Sequence, residues 1–144
     1  MRLSEAIRLG AMMTPQARGV VEDTDGSRCS LGSAWLAAGL QIHEGHLSGG
    51  GLGTRPYSGG SHQYVVVPEG WFKLMELYVP CPECTAVLAG TRTISEQIPH
   101  LNDFHRWSRE RIADWVELIE RQRGLIPQAE QVPPSSKSEI AIAT

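Results

Sequence analysis

Cys81-Pro82-Glu83-Cys84, then fifteen residues, then His100, then four more, then His105: this stretch decides how the rest of the chain is read. The spacing is C-x2-C-x15-H-x4-H, and it falls in the window for a four-ligand zinc site of the Cys2His2 type. Two cysteines separated by two residues turn both sulfurs toward one point, and Pro80 and Pro82 stiffen that knuckle. Between the two pairs, Thr85–Leu88, Ala89-Gly90 and Arg92–Ile94 read as strand, turn, strand. The expected order is therefore knuckle, hairpin, helix, a ββα-like layout. Pro99 fits badly in a helix interior, which places the predicted helix start near Ile98.

Zinc is the expected cofactor, with Cys81, Cys84, His100 and His105 as ligands. Four protein ligands close the coordination shell and leave no place for a water, so the expected role is structural and not catalytic. The plainer alternative is two surface histidines and a buried thiol pair. If zinc is structural, chelation is expected to unfold residues 80–106 specifically. Asp103, between the two histidines, is a candidate acceptor for orienting an imidazole, with a cap or solvent-facing role as the alternative.

Outward from the site toward the C-terminus, Ser108 caps a predicted helix over 109–123. Ile112, Trp115, Val116 and Ile119 form its apolar stripe, and Gly124 is its stop. Glu117–Arg121 and Arg111–Asp114 are expected pairs on its solvent face. Trp107 is expected to pack between the metal site and this helix. From Pro127 onward the composition turns to Pro, Ser, Gln and Glu, so residues 125–144 are expected to be a disordered tail.

Toward the N-terminus, residues 4–13 read as a helix capped by Ser4 and ended by Pro15. Gly19 to Cys29 reads as a hairpin turning at Asp25-Gly26. Ser30 or Ser33 then caps a small-residue helix over 34–38 that is anchored by Trp35 and stopped by Gly39. Cys29 reads as a small buried residue. Residues 44–62 are Gly-rich but match neither a dinucleotide fingerprint nor a P-loop, and they read as a surface loop. His43, His46 and His62 border that loop and read as solvated side chains; a second metal site or a catalytic base is the alternative. Tyr64–Val67 reads as a strand and residues 69–78 as a helix, with Trp71, Leu74, Met75 and Tyr78 at helical spacing.

The bulk numbers narrow the classes. The net charge of −3 and a pI near 5.9 supply no global field for nucleic acid. Arg92, Arg106, Arg109, Arg111, Arg121 and Arg123 make a local cluster, but acidic residues offset them one for one. No apolar run reaches the length of a membrane span. The three cysteines, one pair plus one, suit metal ligation in a reducing compartment. The first five residues do not read as a signal peptide, so the expected location is cytoplasmic.

Two segments resemble a group of small bacterial and phage proteins of unknown function. One is Leu3-Ser4-Glu5-Ala6-Ile7-Arg8-Leu9-Gly10-Ala11, with Pro15-Gln16-Ala17 and Cys29-Ser30-Leu31-Gly32-Ser33-Ala34 after it. The other is Cys81-Pro82-Glu83-Cys84 followed by the run from His100 through Leu101-Asn102-Asp103, His105, Trp107 and Ser108-Arg109-Glu110 to Trp115. The resemblance implies a small family with a metal-type Cys/His set and no assigned activity; a virion component is one version of it.

The fold expected is α+β: small helices and hairpins around a compact core. An N-terminal body over 1–79 is followed by a zinc-stapled ββα-like unit and an amphipathic helix over 80–124. The function expected is a non-enzymatic binding or assembly module with a protein partner or a second copy of itself. A nucleic-acid-binding regulator using the helix after the hairpin is the alternative, and a metal-dependent enzyme is the third reading.

Overall fold

The computed structural model describes residues 1–20, 22–41, 43–44, 63–84 and 90–126. The Gly-rich loop beyond Glu44, His46, His62, the strand expected at Thr85–Leu88 and the tail from Pro127 lie outside the described residues. Among the described residues the chain is α+β, with five helices and two antiparallel two-stranded ribbons.

Helix α1 spans Leu3–Met13. Ser4 is not its cap: the cap position is Arg2, whose backbone N–H donates to Glu5 Oε2 at 2.8 Å, and Ser4 is buried within the first turn. Thr14 turns extended and ends the helix before Pro15, as the proline requires. The hairpin expected over Gly19–Cys29 is reduced to isolated bridges, Gln16 with Arg28 and Glu22 with Arg28. The reason is that the Arg28 backbone is shared. It exchanges hydrogen bonds with Pro15 and Ala17, and so is committed to the segment before Gly19. Gly26 takes φ +85° at the turn, a region that suits glycine.

Helix α2 spans Ser30–Ala37 and starts earlier than expected. Its cap is neither Ser30 nor Ser33 but Cys29, whose Sγ accepts from Gly32 N–H at 3.4 Å. Both serines are buried, and Ser33 Oγ donates back to the Cys29 carbonyl at 2.6 Å. Gly39, at φ +70°, stops the helix, and Trp35 is its buried anchor. Helices α1 and α2 approach so closely that a Cβ on Gly10 would overlap the Ser33 carbonyl.

Strands β1 (His43–Glu44) and β2 (Gln63–Tyr64) pair antiparallel, and Val65 and Val67 beyond them point into the core with Val66 exposed between. Helix α3 spans Glu69–Met75 and buries Trp71, Leu74 and Met75. It stops short of the expected residue 78, because the chain leaves it to form β3, Tyr78–Pro80. Tyr78 is accordingly 71% exposed and not a core residue. Strand β3 pairs antiparallel with β4, Thr91–Thr93, in the register Tyr78 with Thr93 and Pro80 with Thr91.

Helix α4 runs Ile94–Asp103, and Pro99 lies inside it. The start expected near Ile98 is therefore one turn late. An interior proline costs ~3 kcal/mol, but burying an Ile or Leu side chain returns ~1.5–3 kcal/mol. Ile94, Ile98 and Leu101 are all fully buried, so three such contributions outweigh one proline. Thr93 caps the helix through Oγ1 to Glu96 N–H. Helix α5, Arg109–Gln122, has Ser108 as its cap and is followed by Gly124 at φ +69°. Ile112, Val116 and Ile119 are buried, with Trp115 packed at the margin.

One buried cluster joins Leu3, Ile7, Trp35 and Trp71 to Ile94, Leu101, Ile112 and Val116, and so draws on both sides of residue 80. Among the described residues no helix is long and apolar enough to cross a membrane.

Candidate metal centre

The two cysteines sit between the strands of the β3–β4 ribbon, where the expectation had placed the knuckle ahead of a hairpin. Cys81 N–H continues the ladder by donating to the Gly90 carbonyl at 2.8 Å. Pairing Tyr78–Pro80 with Thr91–Thr93 brings Cys81 and Cys84 to the ribbon's end and leads directly into α4. Gln97, fully buried on α4, locks this arrangement by donating Nε2 to the Val79 and Gly90 carbonyls at 2.9 and 2.6 Å.

The histidines come from the end of α4. His100 is in the helix, and His105 follows its last turn, with its N–H donating to the His100 carbonyl at 3.2 Å. Arg106 then takes φ 58°, a left-handed conformation that costs a non-glycine residue about 1–2 kcal/mol. The Trp107 N–H to Leu101 carbonyl bond at 2.9 Å holds that reversal and sends the chain into α5.

The four side chains converge. Their ligand atoms all lie within 4.8 Å of one another. Cys81 Sγ is 3.4 Å from His105 Nε2, and Cys84 Sγ is 3.4 Å from both Nε2 atoms. The two Nε2 atoms are 3.0 Å apart. A tetrahedron with ~2.3 Å to sulfur and ~2.05 Å to nitrogen has S···N edges of about 3.5 Å and an N···N edge of about 3.3 Å. Three S···N edges and the N···N edge are close to those lengths, and all four atoms stay within 4.8 Å of one another. Cys81 is buried and the other three are half-buried. Four ligand atoms aimed at one point form a group that could hold a metal ion.

Burial and the nearby Arg92 set the protonation of these groups. Burial holds the His100 imidazole below its ordinary pKa, and the neighbouring Arg92 and His105 act in the same direction. Neutral imidazole is the form that ligates metal. Burial also pushes the Cys84 thiol up, with Cys81 adding to it and Arg92 opposing. Two thiolates side by side repel, and a divalent cation between them removes that penalty.

Trp107 sits as expected between this site and α5. Its Nε1 donates to Glu83 Oε1 in the knuckle at 3.1 Å, and the Arg111 guanidinium lies over its ring at 3.7 Å. Arg111 also pairs with Glu83 at 3.2 Å, so the expected Arg111–Asp114 pair is replaced; Asp114 pairs with Arg8 at 2.7 Å. The expected Glu117–Arg121 pair is present at 3.6 Å. Phe104 stacks on His100 with ring centroids 5.3 Å apart. Asp103 does not face an imidazole: its Oδ1 accepts from Gly19 N–H at 2.8 Å and from Asn102 Nδ2 at 2.7 Å. His43 is exposed on β1 and is not part of the cluster. Cys29 is buried, away from the site, and burial raises its thiol pKa.

The residues that sequence reasoning missed are Gln97, Asn102 and Arg109. Arg109 reads as one of six arginines in a charge-balanced local cluster, and it is 4% exposed. It donates to Thr14 Oγ1 at 3.0 Å, to Ser33 Oγ at 2.9 Å and to the carbonyls of Ala11, Thr14, Pro15 and Arg28. Asn102 and Arg109 lie within the segment that carries the resemblance, but no periodicity marks any of the three as a buried polar group. Apart from the neighbouring Asp103, Asn102 and Arg109 are answered from far away in sequence, whereas Gln97 is answered by Gly90 and Val79 on the adjoining ribbon.

No family model, curated protein or solved structure matches this chain. The fold and the site define its class: an α+β protein with a Cys2His2 group of metal-binding geometry.

Proposed function

We propose that this protein is a non-enzymatic binding or assembly module whose C-terminal half is stapled by one structural zinc ion. The observation that carries the reading is the convergence of Cys81, Cys84, His100 and His105, with ligand-atom separations near those of a tetrahedron. Two sulfurs and two nitrogens suit zinc among the common divalent ions. Four ligands from the chain itself fill the shell, which supports a structural role. The order of strand β3, the two cysteines, strand β4 and helix α4 is similar to the ββα-like layout expected from the spacing, and it supports the same reading.

A nucleic-acid role is not favoured. Of the arginines between 92 and 123, Arg109 is buried, Arg111 pairs with Glu83 and Arg121 pairs with Glu117. Placement in a virion rests on the sequence resemblance alone. The partner is a protein or a second copy of the chain.

Native mass spectrometry with elemental analysis of the purified chain tests the metal. One zinc per chain is expected. Removal by a chelator is expected to lower the melting temperature by at least ~10 °C, since structural zinc contributes several kcal/mol and ~1 kcal/mol shifts a domain of this size by a few degrees. A metal-free chain that melts where the loaded chain melts would overturn the structural role.

A further inference from the structure

The segment that carries the two histidines also grips the N-terminal body. Asn102, between them, is fully buried. Its Oδ1 accepts from Gln16 Nε2 at 2.9 Å, from Ser30 Oγ at 3.0 Å and from Ser30 N–H at 3.3 Å. Its Nδ2 donates to the Ala17 carbonyl at 3.0 Å. Asp103 accepts from Gly19 N–H. Arg18 donates to the carbonyls of Asn102, Arg106 and Trp107, and Gln16 Nε2 also reaches the Trp107 carbonyl at 2.9 Å. Two residues further on, Arg109 fills the C-terminal end of α1. The linker over 16–19 therefore has the Gln16 and Arg18 side chains, the Ala17 carbonyl and the Gly19 N–H answered by residues 102–107, which contain His105 and begin two residues after His100.

We propose that residues 102–109 form a metal-gated latch. Filling the Cys2His2 site fixes the turn from His100 to His105, and that turn presents the Asn102 side chain and the 102, 106 and 107 carbonyls to the 16–19 linker. Metal loading thereby sets the docking of α1 against the rest of the fold. The proposal rests on the zinc reading above and extends it from local staple to conformational control. Coupling of this kind is reciprocal: whatever the metal does for the linker, the linker does for metal affinity.

Two measurements test it on the full chain. The first is amide hydrogen exchange, zinc-loaded and after removal of zinc with EDTA. The latch requires faster exchange in the metal-free chain at Gly19 and Ser30 and along the last turn of α1, besides residues 78–106. The second is zinc affinity, by competition with a chromogenic chelator, for the double variant Gln16→Ala/Arg18→Ala. Neither residue is a ligand. Affinity at least about five-fold weaker than wild type is expected, the lower end of ordinary coupling, with Lys73→Ala unchanged as control. Zinc bound one to one, with exchange changes confined to 78–106 and affinity unaltered in the double variant, overturns the latch and leaves the structural zinc standing. If the double variant does not fold, the exchange measurement on wild type decides alone. A wild-type chain that binds no zinc overturns both.

Discussion

Arg109 shows how one side chain can decide a docking geometry. A guanidinium has five donors and cannot shed its charge, so its burial is costly unless nearly all of them are answered. Here the answers are carbonyls and hydroxyls, and no carboxylate is among the bonds Arg109 donates. The Ala11 and Thr14 carbonyls stand at the negative end of α1, where a cation is favoured. Arg109→Leu would remove the charge and strand several of those acceptors away from water. At ~1–3 kcal/mol for each buried group left unpaired, a loss of about 3 kcal/mol or more in urea unfolding is expected. A loss below ~1 kcal/mol would mean that water takes over the site. Arg109→Lys is expected to recover only part, because an ammonium cannot reproduce the planar fork.

At the scale of elements, α5 serves both ends of α1. Arg109, at its start, meets the C-terminal carbonyls of α1, and Glu120, near its end, sits against Ser4 in the first turn. The two helices therefore run in opposite directions, with Arg8 bridging to Asp114 and Glu117 between. The carboxylate position suits the positive end of α1. Burial nevertheless pushes the Glu120 pKa above its ordinary value, against the opposing help of Ser4 and Arg2. The folded chain then binds more protons than the unfolded chain in the window just above 4.5, so stability falls as pH rises through that window. Glu120→Gln is expected to flatten this slope. Urea midpoints measured at intervals from pH 4.5 to 7 would check it, and an unchanged slope in the variant would assign the effect elsewhere.

For the molecule as a whole, one buried cluster takes in residues from both before and after residue 80. A single core that recruits α1, α2, α3, α4 and α5 is the condition for one cooperative unfolding step. The zinc-loaded chain is expected to give coincident urea transitions by tryptophan fluorescence and by far-ultraviolet circular dichroism. Two separated transitions would mark residues 80–124 as a unit that folds independently.

Much of this was legible locally. The spacing of the Cys and His pairs is a covalent property, and a C-x2-C can bring its sulfurs together within one tight turn. Pro15, Ser108, Gly39 and Gly124 end or start helices through dihedral limits and caps that act within a turn. The Ile112–Val116–Ile119 stripe is a matter of helical period. The errors have one physical origin. Whether Ser4 is buried, whether Pro99 is tolerated inside α4 and whether Arg109 faces solvent all depend on energies contributed by residues dozens of positions away. The amino-acid order determined the donor set and several of the helix stops and caps, Pro15, Gly39, Ser108 and Gly124 among them. Only the tertiary structure decided which polar group answers which, because a buried donor or charge is stabilised by whatever the fold brings within 3 Å of it.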